Sequence, residues 1–276
     1  MRSLDSVDAP AGASASFPCQ KDITGYGPGE RPFLATRSRK TGEATVVYLM
    51  PPKEKILELP SEDKTSVIGE LERAVDNARR ASTRAAKQLR LFIVANMLTR
   101  MWTLTYAEAQ WDRSAVMRDV NDFQQRLRTY LGEDFPAAYV LELHPNGHGW
   151  HVHMALQSRF IRWSLLGQLW GHGVVQYSDG QKAINNCHGE RAKARRLASY
   201  LTKYMAKAWA GDHEHGHHRY EVTQGFGVEK VRRVFKSLAA AVGWLNDCEG
   251  GRPGYEWASD GVEDWHGPPA WVLVYD

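Results

Sequence analysis

Apolar and polar positions along the chain switch repeatedly between a period of two and a period near 3.6, the mark of strands interleaved with helices. Met101-Trp102-Thr103-Leu104-Thr105-Tyr106 is β-branched and aromatic and predicts a core strand. Val116, Val120, Phe123, Leu127 and Leu131 recur at helical spacing and predict a helix over 113–131. Two apolar runs, Tyr139 to Leu143 and Trp150 to Leu156, flank Pro145-Asn146-Gly147-His148-Gly149, whose turn residues predict a hairpin. A short helix over 161–170, a strand over 174–177, a basic helix over 191–210, a strand over 219–223 and an amphipathic helix over 228–245 follow. Upstream, 43–50 predicts a strand, and a long basic helix starts at Ser61 and runs to about residue 90. The order β-α-β-β-α-β from residue 101 predicts an α+β fold, a central, mainly antiparallel sheet with helices packed on it.

Domain organisation follows from where this patterning stops. Residues 1–40 are rich in Gly, Pro, Ser and Ala without apolar periodicity and are expected to form a flexible lead-in. Residues 41–245 form the main domain, and 246–276 an acidic, Trp-rich C-terminal segment. Trp257, Trp265, Trp271 and Val272-Leu273-Val274-Tyr275 make that segment too apolar to trail free, so it is expected to fold back onto basic surface.

Charge is segregated in the same way. Residues 70–100 hold seven Lys/Arg against three acids, 182–207 hold seven against one, and 246–276 hold seven acids against Arg252. A basic body of this kind permits a nucleic-acid partner, and Arg84, Lys87, Arg195, Arg196 and Lys207 are the candidate DNA contacts, although solvated helix faces give the same pattern. No apolar run is long enough to span a membrane and the N-terminus lacks an export signal, so a cytoplasmic protein is expected. Cys19, Cys187 and Cys248 are odd in number and far apart, which argues against both a disulfide framework and a cysteine zinc site.

Two constellations carry chemistry. Alternate residues of a strand share a face, so His151 and His153 project together while Val152, Met154 and Leu156 point into a core. Hairpin closure is expected to set Glu142 opposite His153, with His144 on the same face as a rival ligand. Two imidazoles and a carboxylate hold a divalent cation and leave positions for water or phosphate oxygen; two satisfied polar residues on a sheet are the plainer alternative. The second constellation is Tyr200-Leu201-Thr202-Lys203-Tyr204-Met205-Ala206-Lys207. Tyr200 and Tyr204 stack on one helix face, with Lys203 and Lys207 in a stripe beside them. A phenol is a weak nucleophile at neutral pH, but a nearby ammonium favours phenolate, and two tyrosines can act alternately. The alternative is a pair of core aromatics with hydroxyls at the surface.

Trp102-Thr103-Leu104-Thr105-Tyr106, Trp150-His151-Val152-His153-Met154 and Tyr200-x-x-Lys203-Tyr204-x-x-Lys207 resemble, in order and spacing, the three motifs of the HUH endonuclease superfamily. The resemblance is strongest to rolling-circle replication initiators of phages and bacterial plasmids with two motif tyrosines, and it covers roughly residues 90 to 225. It implies a ferredoxin-like βαββαβ core and makes 41–245 a nicking domain. It further implies Mg²⁺ or Mn²⁺ bound by His151, His153 and Glu142, and Tyr200 and Tyr204 as nucleophiles forming a 5′-phosphotyrosine link to single-stranded origin DNA. Lys203 would contact the scissile phosphate or the leaving oxygen. No Gly-x-x-x-x-Gly-Lys-[Ser/Thr] loop occurs, so a host helicase and polymerase are the implied partners. A relaxase or transposase with the same chemistry is the first rival, although relaxases usually carry their tyrosine before the histidines. A non-catalytic DNA-binding protein and a small-molecule iron enzyme are the others; the tyrosine-lysine helix argues against both.

Overall fold

A computed structural model describes residues 32–49, 67–144, 147–157, 161–177, 181–211, 218, 220–263, 265 and 267–276. Along the chain these form β1 (Phe33–Ser38), β2 (Glu43–Tyr48), α1 (Val67–Ala95), β3 (Arg100–Tyr106), α2 (Arg113–Leu131), β4 (Ala137–Leu143), β5 (Trp150–Leu156), α3 (Trp163–Trp170) and β6 (Gly173–Tyr177). The chain continues as α4 (Gln181–Asn185), α5 (Glu190–Gly211), β7 (Glu221–Val222), β8 (Lys230–Phe235), α6 (Leu238–Glu249), β9 (Tyr255–Ala258) and β10 (Ala270–Val274). The described residues thus form an α+β fold with two five-stranded antiparallel sheets and helices packed on them.

The central sheet has the order β6-β3-β5-β4-β7. Its first four strands, with α2 and α3, are the βαββαβ unit expected from residue 101, in the strand order of a ferredoxin-like core. Period two in the strands sends Trp102, Leu104, Tyr139, Val152, Met154 and Leu156 to one face, where Val116, Val120, Phe123 and Leu127 of α2 and Leu166 and Trp170 of α3 meet them. Full burial of each such side chain contributes about 1.5–3 kcal/mol. Helix α2 begins on Asp112, whose side chain accepts a hydrogen bond from Ser114 N, and ends on left-handed Gly132, so both ends are capped by local sequence.

The opposite face sends Met101, Ala138, Val140 and Ala155 into a second cluster with Leu89 and Ile93 of α1 and Leu197, Leu201 and Met205 of α5. The chain from residue 99 therefore supplies one face with its own helices, and α1 and α5 roof the face on which His151 and His153 stand. Helix α1 runs five residues beyond the expected end at 90; its expected start, 61–66, lies outside the described residues.

The terminal sheet has the order β8-β1-β2-β10-β9, built from both ends of the chain. Strand β1 at 33–38 lies within the stretch read as a flexible lead-in. The fold-back expected of the acidic segment is present: β10 inserts between β2 and β9, and Trp271 packs against Phe33 at 5.8 Å. One expectation is overturned. Residues 228–245 are not one helix but strand β8 followed by α6, with Ser237 as the N-cap whose Oγ accepts from Ala240 N. Val228, Val231, Val234, Leu238, Ala241 and Leu245 keep a spacing of three or four across that break, which mimics a continuous helix. Pairing of β8 with β1 over six residues overrides the local pattern.

Candidate active site

The site lies on the roofed face of the central sheet. In the hairpin register Glu142 pairs with His151, and Val140 with His153. The expectation that Glu142 stands opposite His153 is therefore off by two residues. Counting back from Asn146-Gly147 brings Glu142 to His151; the face is unchanged because a shift of two keeps side-chain parity. Glu142 instead reaches its diagonal neighbour, and His153 Nε2 is 2.8 Å from Glu142 Oε2. The tip residues Pro145 and Asn146 lie outside the described residues.

Strand β5 enters this position under tight control. Gly149 has a φ of +73°, and a Cβ there would sit 2.5 Å from Gln110 O. Trp150 N donates to Gln110 O and Trp150 Nε1 to Trp111 O, so the strand is tied down just before His151.

His153 is 5% exposed and both its ring nitrogens have partners: Nε2 meets Glu142, and Nδ1 lies 3.2 Å from Thr103 Oγ1. Thr103 stands across from His153 in the β3–β5 register. Its role was not foreseen from the sequence, although the alternation Trp102-Thr103-Leu104 already put it on the histidine face. His151 is half-buried, its ring 4.8 Å from that of His144, which in turn is 5.1 Å from His148. Burial, with the neighbouring His144 and His153 imidazoles, holds His151 below the ordinary histidine value, and Glu142 only partly opposes this. A neutral imidazole is the form that ligates a cation.

Helix α5 crosses this face. The Tyr204 ring stacks on His153 with centroids 3.7 Å apart and planes 18° from parallel. Tyr200, one turn earlier, has Arg196 Cζ and Lys203 Nζ each 5.4 Å from its ring centroid. The two tyrosines, Lys203 and the histidine-carboxylate pair are thus gathered by one helix crossing two strands. Burial pushes the phenols of Tyr106 and Tyr139 well above the ordinary tyrosine range, with Asp119 and Glu221 adding to the respective shifts, which makes both poor nucleophiles.

Of the candidate DNA contacts, Arg196 is exposed beside Tyr200, and Arg84 and Lys87 are exposed on α1. Arg195 is engaged elsewhere: its guanidinium donates to Asp276 Oδ1 at 3.1 Å, Tyr275 O at 2.8 Å and Thr41 O at 3.3 Å. It ties α5 to the terminal sheet. Lys207 belongs to α5, and its side chain lies outside the described residues, as do His213, His215 and His217.

Among the described residues no three His, Cys, Asp or Glu side chains are gathered as a ready-made metal cluster. The donor pair nevertheless suits a hard cation. Two cis donors on an octahedral Mg²⁺ at 2.0–2.1 Å lie about 3 Å apart, close to the 2.8 Å between His153 Nε2 and Glu142 Oε2. Such an ion is commonly held by one or two protein donors plus water and phosphate oxygen, so a third side chain is not a requirement.

No helix among the described residues is long and apolar enough to cross a membrane. No curated protein and no solved structure is significantly similar to the chain. Residues 99–209, from β3 through nearly all of α5, match the family model for replication-associated proteins of the ORF2 type, and this match supports a rolling-circle replication initiator-like protein.

Proposed function

We propose that this protein nicks and rejoins single-stranded origin DNA to start rolling-circle replication. The observation that carries the reading is the stacking of Tyr204 on His153, beside Tyr200 and Lys203, within the segment similar to replication-associated proteins. A tyrosine Oη attacks the scissile phosphorus, the P–O3′ bond breaks, and the 5′ phosphate remains on the tyrosine. The phenol proton is lost to solvent or a nearby base, and the departing 3′ oxygen gains one, which leaves a 3′-hydroxyl for a host polymerase while a host helicase unwinds the template. Lys203 and Arg196 present positive charge where the phosphate arrives.

Glu142, His153 and His151 would hold Mg²⁺ or Mn²⁺, which supplies Lewis-acid polarisation of the phosphate. Thr103 Oγ1, accepting from Nδ1–H of His153, leaves the Nε2 lone pair directed at the cation; the hydrogen bond selects the tautomer. Two tyrosines one helical turn apart allow one to keep the first 5′ end while the other cuts at termination, which conserves phosphoester bonds.

The lack of a preformed three-donor cluster among the described residues favours one second reading, a DNA-binding protein without catalysis. One experiment separates them. Incubated with labelled single-stranded DNA from its replicon and Mn²⁺, the protein yields a denaturation-resistant adduct that chelator prevents. The double variant Tyr200→Phe/Tyr204→Phe binds the same DNA and yields none. Absence of any adduct with native protein and cognate DNA overturns the nicking reading.

A further inference from the structure

We propose that the cleft between the open face of the terminal sheet and helices α1 and α5 carries a single DNA strand to the tyrosine helix, phosphates on Lys87, Lys203, Lys230 and Arg232, one unstacked base against Tyr220. The proposal rests on the protein acting on DNA and adds a path and an anchoring base to it.

The terminal sheet has two unlike faces. Ala35, Ala44, Val46 and Leu273 face α6 and form an apolar cluster with its Ala241 and Leu245. The alternate residues face away from α6, and there the register sets Arg232 beside Thr36, Thr36 beside Thr45, and Lys230 beside Ser38. This polar face borders a cleft of about 800 Å³ whose other wall is α1, with Lys87 and Gln88, and α5, with Ser199, Thr202 and Lys203. Glu43 is the acid in its lining, and Arg90 neutralises it at 2.8 Å. The cleft therefore presents ammonium, guanidinium and hydroxyl groups on both walls. That is the donor chemistry of a phosphodiester backbone and lacks the apolar centre of a protein interface.

Two features favour a strand over a free anion. Lys203 touches the cleft and also lies over the Tyr200 ring, so the groove is continuous with the candidate nucleophile. At the other end a smaller cavity of about 240 Å³ shares Gln88 and Lys230 with the cleft and is walled by Phe92, Tyr220, Val222 and Val228. A basic groove ending in an aromatic pocket is how single strands are held: charge tracks the backbone, and a ring receives an unstacked base. Lys230, at the junction, has its ammonium disfavoured by burial and by Arg232 and Lys87, a crowding that a phosphate relieves.

The test is single-strand binding by the full chain in chelator, read by fluorescence anisotropy with a labelled 20-nucleotide oligo(dT) across a range of salt. Lys87 and Arg232 are exposed, so Lys87→Gln/Arg232→Gln is expected to melt like the native protein. It should bind about tenfold more weakly, with the salt slope smaller by about 1.4, or 0.7 for each lost phosphate contact. Charge-keeping Lys87→Arg/Arg232→Lys should restore both. Native affinity and slope in the Gln variant overturn the cleft, and so does an equal or larger loss on blunt duplex of the same length. Adduct formation is measured separately. Adducts with an unchanged slope sink the cleft alone, whereas a reduced slope with no adducts keeps the cleft and sinks nicking. Photo-crosslinking of 5-iodouracil-substituted strand should label Tyr220; labelling confined to other residues removes the base pocket.

Discussion

The two sheets answer the same physical problem differently. The central sheet is covered on both faces, by α2 and α3 on one side and by α1 and α5 on the other. The terminal sheet is covered by α6 on one face and borders a polar cleft on the other. A doubly covered sheet can hold His153 at 5% exposure with both ring nitrogens engaged, which suits chemistry needing fixed geometry. A singly covered sheet keeps a row of long cationic side chains in water, which suits binding of an extended polyanion. On this comparison the central sheet reacts and the terminal sheet holds, and the two roles can be separated by substitution.

The largest expected effect tests that separation. His153→Ala should reduce adduct formation by on the order of 10³-fold, because metal polarisation is worth several kcal/mol of transition-state stabilisation. Single-strand affinity in chelator should change little, since phosphate contacts dominate it. Comparable losses in both measurements would dissolve the division of labour. Next in size is packing. Phe123→Ala in the central core should cost about 3–5 kcal/mol and Leu245→Ala beneath the terminal sheet about 2–5 kcal/mol. Hydrogen exchange should show the first exposing β3 and β5 and the second confined to β1, β2 and β10. Equal loss of protection across both sheets for Leu245→Ala would make them one cooperative unit.

The same division explains what was legible in the sequence. Helix α2 was readable to the residue because Asp112, Gly132 and the apolar stripe between them lie within one short stretch. The histidine face was readable because strand parity survives even a two-residue error in register. The terminal sheet was not, because its pairings join distant segments: Ala35 meets Arg233, and Val46 meets Trp271. Nothing local marks such partners, and Val231 and Val234 carried the wrong period into α6. The cost was functional, since Lys230 and Arg232 were assigned to a helix and not to a cleft wall. Thr103 was missed for another reason: a hydroxyl within an apolar strand gains meaning only once His153 is opposite.

A smaller effect sharpens the chemical side. Thr103→Val keeps the side-chain shape but removes the acceptor that selects the His153 tautomer. Apparent Mn²⁺ affinity should fall about 10–100-fold, as loss of an outer partner typically does. Thr103→Ser should restore it, whereas a purely structural role for Thr103 would lower thermal stability and leave the metal titration unmoved.

The smallest effects concern the seam between the two sheets, where Arg195 of α5 meets the last residues of the chain. Arg195 is about one-quarter exposed and donates to the carbonyls of Thr41 and Tyr275 as well as to Asp276. Asp276 is 88% exposed at its side chain, so water screens the ion pair. The carbonyl contacts are the more sheltered part, and they fix β10 and the β1–β2 turn against α5. Arg195→Met should therefore cost about 1–3 kcal/mol, because it strands carbonyls that accept from a charged donor. Asp276→Asn should cost about 0–0.5 kcal/mol. Thermal melting of the two variants decides the point. If Asp276→Asn matched Arg195→Met, the seam would be held by charge at the chain end, and its strength would fall with added salt. If Arg195→Met alone were costly and salt-insensitive, backbone capture would join the reacting sheet to the holding one.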